Sequence, residues 1–317
     1  MIFRKNNLIL FLLIFTLYGG KLSSPAWAKS ISPLKLDAER VPWTQLSFHA
    51  KNFWVDVSTH IELKRVPASK VEALLLASPK GAPVRPVTPQ AFQMTINTTI
   101  DPTFRSPVNI HNRIWFNPVN AASLGRIRLR RGDDDFKKTY RFTEQGVFRH
   151  RIEPKNKKEA SLAPEKWTDI KDNFYPFDPE LIGCPYVSER SLLIYILSAA
   201  AISMSNDPLS LCVFGKRQLH HVQLQKKGIY PLRVNYTERT QQNDTHKEGT
   251  INAIKIAISA EPMASDLKEA ENFSFLGFHK DISIYIDPAS NLPLQASGII
   301  STVGKVKLKM FEAQINR

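Results

Sequence analysis

The chain has 317 residues and a formal net charge of +14, from 43 lysines and arginines against 29 aspartates and glutamates. A field of this sign favours association with anionic surfaces such as phospholipid or lipopolysaccharide headgroups, acidic glycans and acidic proteins. Nucleic acid is the weaker candidate, and we predict no nucleic-acid partner, because no Gly-rich or basic-aromatic nucleic-acid motif is present.

The N-terminus has the three parts of a secretory signal peptide. Two early cations, Arg4 and Lys5, precede an apolar run of 11 residues and an Ala-x-Ala site that ends at Ala28. A helix needs ~20 residues to cross a bilayer, so this run is too short for an uncleaved anchor. We therefore predict a signal peptide at 1–28, cleaved after Ala28. The exported chain, 29–317, loses three cations and no acid, so its net charge is +11.

The first part of the exported chain predicts paired strands and one loop. From Phe53 to Leu63, apolar and polar residues alternate with a period of two, which is typical of a half-buried strand. Residues 46–50 alternate in the same way and form its partner. Four prolines between residues 79 and 90 forbid regular ladder pairing, so this segment is a Pro-rich loop. The stretch FQMTINTTI then returns to a strand.

The clearest alternation follows in RIRLRRGDDDFKKTYRF, where GDDD and the later TEQG supply the turns of a three-stranded meander. Its arginines alternate with Ile127 and Leu129, so one face is apolar and the outward face is a cationic ladder. Because guanidinium groups fork onto phosphate and carboxylate, this ladder suits an anionic headgroup or glycan. The residues predicted to bind it are Arg126, Arg128, Arg130 and Arg141. The alternative is a face charged for solubility and edge protection.

The second half of the chain continues the pattern of strands. Alternation resumes in LCVFGKRQLHHVQLQ and in TINAIKIAISAEP, and it ends in a hairpin over residues 282–310. Most of the ordered chain therefore predicts antiparallel strands joined by tight turns.

One segment, SERSLLIYILSAAAISM, predicts a helix over about 188–204. Ser188 is a suitable N-cap, and from residue 192 to 202 only Ser198 is polar. Eleven residues span about 17 Å, roughly half of a bilayer core, so protein must enclose this helix. We predict a mainly β fold, a curved antiparallel sheet or half-open barrel around one apolar helix. The residues predicted to line an apolar pocket beside it are Leu193, Ile196 and Ala200.

The two cysteines, Cys184 and Cys212, flank the predicted helix. In an oxidising compartment a disulfide between them would close a loop worth ~3 kcal/mol. Two buried free thiols are the alternative, because the sequence leaves open whether their Cα atoms approach within the ~7 Å limit.

The order of these parts resembles the exported bacterial family called domain of unknown function 3108. The resemblance rests on the meander RIRLRRGDDDFKKTYRF, the helix SLLIYIL, the strand LCVFGKRQLHHVQL and the closing hairpin YIDPASNLPLQASGIISTVGKVKLKM. It covers about residues 120–312, and it implies a curved antiparallel sheet around one helix, with no established activity or catalytic residues. The Pro-rich loop and the segment KNKKEASLAPEKWTDIKDN depart from the family pattern.

Motifs for catalysis and metal binding are weak. No Gly-x-Ser-x-Gly elbow is present, and Ser191 and Ser198 lie among apolar helix residues. The adjacent His220 and His221 point to opposite faces of a strand, so they cannot share one ion. The acids of GDDD fit a solvated turn better than a calcium loop. We therefore predict no catalytic residue, no metal and no cofactor.

Together these features predict an exported, periplasmic envelope protein without enzymatic activity that binds lipid or an anionic envelope glycan. Secretion beyond the envelope is the alternative location. Two alternative functions remain: a periplasmic hydrolase or transferase acting on envelope polymers, and a scaffold that binds another protein through a strand edge or the Pro-rich loop.

Overall fold

The computed structural model describes residues 31–177, 183–200, 206–263, 273–301 and 303–316. The predicted signal peptide at 1–28 lies outside these residues. The strands are β1 Trp43–Lys51, β2 Val55–Pro67, β3 Gln90–Pro102, β4 Val108–Phe116, β5 Ser123–Arg131, β6 Phe136–Thr143, β7 Gly146–Glu153, β8 Asp169–Pro176, β9 Val187–Glu189, β10 Leu209–Phe214, β11 Leu219–Arg239, β12 Asp244–Pro262, β13 Lys280–Ile286, β14 Pro293–Ile300 and β15 Gly304–Ile315.

Helices are short and few in this part of the chain. The α-helices are α1 Ala68–Leu74, α2 Lys157–Ala160 and α3 Leu193–Ala199, and the 3-10 turns are Ala38–Arg40, Pro164–Lys166 and Arg190–Leu192. None of these helices is long and apolar enough to cross a membrane.

All described strands belong to one 15-stranded sheet with the order β8-β7-β6-β5-β4-β3-β2-β1-β15-β14-β13-β12-β11-β10-β9. Sequence neighbours from β1 to β8 and from β10 to β15 pair antiparallel, and β1 pairs with β15 to join the two halves. Two short pairings, β9 with β10 and β11 with β15, are parallel. The second of these curls β11–β15 back on itself. The predicted mainly β fold with a curved antiparallel sheet is confirmed.

The inner face of the curled sheet packs around α3. Every residue of α3 is buried in the main core, together with Leu46, Phe48, Ile61 and Met94 from β1 to β3. Buried polar atoms of the helix are satisfied: Trp43 Nε1 donates to Ser198 Oγ at 3.0 Å, and the Tyr195 hydroxyl donates to the Pro118 carbonyl at 2.7 Å. The sheet therefore encloses an apolar helix, as predicted.

The helix is shorter than the predicted span of 188–204. Ser188 lies in β9, where it pairs with Val213, and its hydroxyl donates to the Ala121 carbonyl at 2.8 Å instead of capping the helix. Glu189 takes the capping role, because its carboxylate accepts the Ser191 backbone N–H. The helix ends at Ala199, since Ala200 is extended. The end of the predicted span, 201–204, lies outside the described residues.

A disulfide joins Cys184, before β9, to Cys212 in β10, with a Cα–Cα distance of 5.7 Å. This distance lies within the limit for such a bond. The bridge fastens the segment that leads into α3 to the strand that follows it. The alternative of two free thiols is therefore wrong.

The Pro-rich loop lies beside the end of β6 in the meander. Val84 N donates to the Phe142 carbonyl, and an isolated bridge links Pro83 to Thr143. Apart from this bridge, residues 79–89 form no ladder with the described strands, as expected for a segment whose prolines lack the N–H donor.

Candidate functional site

A cavity of about 490 Å³ opens on the inner face of the sheet. It is formed by β2–β5 on one side and by the turns around Ser274–Gly277 and Val303 on the other, with Arg190 and Ser191 closing one end. Its volume falls within the ~300–1,000 Å³ that is typical of small-molecule sites.

The walls of the cavity are mostly apolar. Alternation along the strands turns every second side chain inward, so β2, β3 and β4 each contribute one or more aliphatic residues to the wall. These residues are Val55, Val57, Ile96, Ile100, Ile110, Leu276, Ile300 and Val303. The wall therefore suits an apolar group of a ligand.

The inner end of the cavity is cationic and is organised by one buried carboxylate. Arg126 donates from Nη1 to Glu189 Oε1 at 2.6 Å and from Nη2 to Asn112 Oδ1 at 3.0 Å. Glu189 is fully buried and also lies 3.8 Å from Arg190 Nε. Arg190 Nη1 donates to Ser274 Oγ at 2.6 Å. The carboxylate thus fixes two guanidinium groups at the end of the cavity.

Arg128, the next inward residue of β5, has no such partner. No carboxylate of the described residues lies within ion-pair distance of it, and its Nε has no hydrogen-bond partner. Its guanidinium lies 5.6 Å from the centre of the Phe136 ring. Burial, followed by repulsion from Arg126 and Arg190, lowers the pKa of Arg128 to about 9. At neutral pH this residue is therefore a half-buried cation that faces the cavity.

Further cations continue from Arg128 across the inner face of β5–β7. We call this set the cationic strip: Arg126, Arg128, Arg130, Lys138, Arg149 and Arg151. Lys138 Nζ lies 3.9 Å from the centre of the Phe136 ring, and Arg151 also lies over this ring at 5.4 Å. Burial and then the neighbouring arginines lower the pKa of Lys138 to about 7. Part of the strip is paired, since Arg151 contacts Glu153 and Arg130 lies 3.8 Å from Asp134.

The strip corrects the predicted outward ladder. Arg126, Arg128 and Arg130 do share one face of β5, but this face is the concave inner one, where Arg126 is 4% exposed. Alternation defines two faces without saying which one the sheet curls over. Here the buried Glu189 and the aromatic ring of Phe136 accommodate the cations.

Arg141 does not belong to this set. It lies on the outer face of β6, where it is buried, and it donates from Nη1 to the Leu124 carbonyl. Its Nη2 lies 3.5 Å from Glu72 of α1. Burial lowers the pKa of Arg141, and the Glu72 carboxylate partly offsets this. Arg141 pairs with Gly125, an odd position of β5, so it points to the face opposite Arg126, Arg128 and Arg130. Its contact with Glu72 attaches α1 to this outer face.

The predicted pocket residues of the helix are also misplaced. Leu193, Ile196 and Ala200 are buried in the main core, and none of them lines the cavity. The cavity touches only the start of the helical segment, at Arg190 and Ser191. The sheet packs tightly against α3 because a gap there would lose van der Waals contacts. The cavity therefore lies beyond the N-terminus of the helix.

A second cavity, of about 1040 Å³, lies between the Pro-rich loop and the disulfide segment. Its lining includes Phe177 and Cys184, on either side of 178–182, which the structure does not describe.

The described residues contain no group of three or more His, Cys, Asp or Glu side chains that could hold a metal ion.

Sequence reasoning missed Glu189, Arg190 and the two aromatic residues at the cavity mouth, Trp54 and Phe104. Glu189 is 63 residues from Arg126 in sequence, so no local spacing signals the pair. Trp54 falls inside the strand predicted from Phe53, which in the structure begins only at Val55, and the sequence predicts no element around Phe104, so no pattern signals either aromatic residue.

Comparison with solved structures finds a similar fold. The chain is similar to the crystal structure of a beta-barrel-like protein of domain of unknown function DUF1849 from Brucella abortus, with a TM-score of 0.44 and 6% identity, over 90% of this chain and 100% of that one. No family model matches the chain, and no curated protein matches it. The resemblance to domain of unknown function 3108 therefore stays a prediction.

Proposed function

We propose that this protein is an exported envelope protein that binds an anionic amphiphile, a molecule with an acyl chain and a carboxylate or phosphate head, in the inner cavity. The observation that carries the proposal is the pairing of an apolar wall with Arg128, a half-buried cation that has no carboxylate partner among the described residues. A ligand of this kind would satisfy both surfaces at once.

The head of the ligand would bind at Arg128 with the help of Arg126. Leaving a partly desolvated charge unpaired has a cost, and a carboxylate or phosphate that forks onto the guanidinium offsets it. The acyl chain would lie along the aliphatic wall, where burial contributes about 25 cal/mol per Å² of apolar surface. The charge therefore sets the orientation of the ligand, and the wall supplies the remaining affinity.

Binding is favoured over hydrolysis by the composition of the lining. Among the described residues that line the cavity, none is His, Cys, Asp or Glu. The nearby Glu189 carboxylate is occupied by Arg126, Arg190 and the Ser191 backbone N–H, so it is not available as a general base for the Ser191 hydroxyl. An envelope location is supported by the predicted signal peptide and by the Cys184–Cys212 disulfide, because such bonds persist in oxidising compartments.

Titration with a fluorescent fatty acid and with its uncharged methyl ester tests the proposal. We expect the acid to bind and Arg128→Met to weaken its binding by about tenfold to a hundredfold, as expected for a lost charged hydrogen-bond partner. The matched control is Arg113→Met, on the opposite face of neighbouring β4, which should bind like the wild type. Equal binding of acid and ester, or wild-type affinity in Arg128→Met, would refute the proposal.

A further inference from the structure

Three aromatic side chains at the cavity mouth are exposed to solvent. Phe53 is 72%, Trp54 is 56% and Phe104 is 73% exposed. Phe53 and Trp54 lie in the turn between β1 and β2, and Phe104 lies in the turn between β3 and β4. We call these three residues the aromatic lip.

The members of the aromatic lip contact one another. The ring centres of Phe53 and Trp54 are 5.0 Å apart, and those of Trp54 and Phe104 are 6.2 Å apart. Single exposed apolar residues are normal on a protein surface, but a contiguous exposed cluster marks an interaction site.

Hydrogen bonds between the two turns hold the aromatic lip in place. Thr103 N donates to the Trp54 carbonyl at 3.1 Å, and Thr103 Oγ1 donates to the Phe53 carbonyl at 2.8 Å. Asn52 Oδ1 accepts the backbone N–H groups of Trp54 and Val55. The backbone therefore presents the rings to solvent in a fixed arrangement, so little conformational entropy remains to be lost on docking.

The aromatic lip is continuous with the cavity. Trp54 and Phe104 line the cavity as well as its mouth, next to the aliphatic residues Val55 and Ile100. An apolar path thus runs from solvent to the cationic end at Arg128. A surface that covers the lip also covers the entrance for a ligand.

The charges near the aromatic lip are largely balanced. Asp56 lies 3.1 Å from Lys51 and 2.7 Å from His49, and the exposed Arg105 of the turn after β3 follows the exposed Asp101 at the end of that strand. The partner of the lip must therefore be recognised through apolar contact and not through a strong local field. Tryptophan and phenylalanine are the residues that insert at the boundary between lipid headgroups and acyl chains.

We infer that the aromatic lip inserts into the surface of a lipid bilayer and aligns the cavity mouth with it, so that an amphiphile passes between membrane and cavity without crossing water. This inference rests on the proposed ligand for its purpose, but the docking itself is measured separately. The partner is a lipid surface. The competing explanation, which the experiments below distinguish, is that the lip binds a second copy of this chain.

Vesicles of pure phosphatidylcholine are the probe, because a neutral surface removes nonspecific attraction by the net charge of +11 that residues 29–317 carry. Trp54 is a natural reporter, since the other tryptophans of the described residues, Trp43, Trp115 and Trp167, are buried. With brominated phosphatidylcholine we expect its fluorescence to be quenched, and Trp54→Phe to remove the quenching. Vesicle binding should also persist at high salt.

Phe53→Ser tests the role of the aromatic lip, because Phe53 does not line the cavity. We expect vesicle affinity to fall by about tenfold, the effect of losing a partly buried phenylalanine, and Phe53→Trp to restore it. Binding of the fluorescent fatty acid in solution should be unchanged. The matched control is Phe311→Ser, an exposed phenylalanine of β15, which should bind vesicles like the wild type.

Wild-type vesicle binding by Phe53→Ser, or no quenching in the wild type, would overturn the inference. A concentration-dependent dimer that Phe53→Ser disrupts, without vesicle binding, would overturn it in favour of self-association. If the fatty acid fails to bind while vesicle binding depends on Phe53, the proposed ligand is wrong and the docking inference stands.

Discussion

The substitution Glu189→Gln should strongly destabilise the fold, because Glu189 is the buried partner of two cations at the end of the cavity. Its Oε1 lies 2.6 Å from Arg126, and the two side chains are 0% and 5% exposed. Glutamine keeps the shape and one acceptor for the Ser191 N–H, but it removes the charge. Arg126 would then be a buried cation without a carboxylate partner.

The expected loss is about 3–5 kcal/mol in the free energy of unfolding, the usual cost of removing one partner from a buried ion pair. An exposed pair with the same geometry provides the control. Arg65 lies 2.6 Å from Glu39, but these side chains are 57% and 76% exposed. Water already screens this pair, so Glu39→Gln should change stability by less than about 1 kcal/mol.

Urea denaturation followed by circular dichroism measures both variants. A double-mutant cycle with Arg126→Met isolates the pair, and we expect a coupling of about 1–3 kcal/mol, because the double variant no longer buries an unpaired charge. If Glu189→Gln costs no more than Glu39→Gln, the pair is not desolvated. The account of the cationic end of the cavity would then fail.

Two further predictions concern Lys138 and the cavity wall. Because the pKa of Lys138 is lowered from 10.5 to about 7, the unfolded chain binds one more proton between these values, and stability should rise with pH through this window. Lys138→Met should remove about 1–2 kcal/mol of this rise, after discounting for solvent, and an identical pH profile in urea denaturation would contradict the shift. In the cavity, Ile100→Trp should lower the affinity for fluorescent fatty acids, and the loss should grow with the length of the acyl chain. Ile170→Trp, on the exposed edge strand β8, should leave the affinity unchanged. An equal loss of affinity at all acyl-chain lengths would show that the acyl chain binds elsewhere.

Alternation in the sequence was sufficient to predict most of the strands and the enclosed helix, but not β4, β8 or the short β9. A period of two from Phe53 to Leu63 specifies a half-buried strand whatever its neighbours are. An apolar helix too short for a bilayer must likewise be enclosed by protein. These features are local or depend on length alone, so they could be read before the pairing of the strands was known.

Alternation was insufficient to predict which face of β5 is inside. Arginine side chains normally face water, and Arg128 faces the cavity only because β5 belongs to a sheet that curls over it. Glu189 neutralises the charge of Arg126, but Glu189 belongs to β9, which ends the sheet on the side opposite β8 and is far from β5 in the strand order. Long-range pairing of this kind leaves no periodic signal in the sequence.

The junction between β1 and β15 has a consequence for the time course of folding. Strands β1 to β8 pair with their sequence neighbours, but one edge of β1 meets its partner only when residues 304–315 are present. Until then this edge, with the apolar Leu46 and Phe48, is an open template for other chains. Contacts between distant parts of a chain form slowly. We therefore expect this junction to close last, and chains truncated before β15 to aggregate through β1.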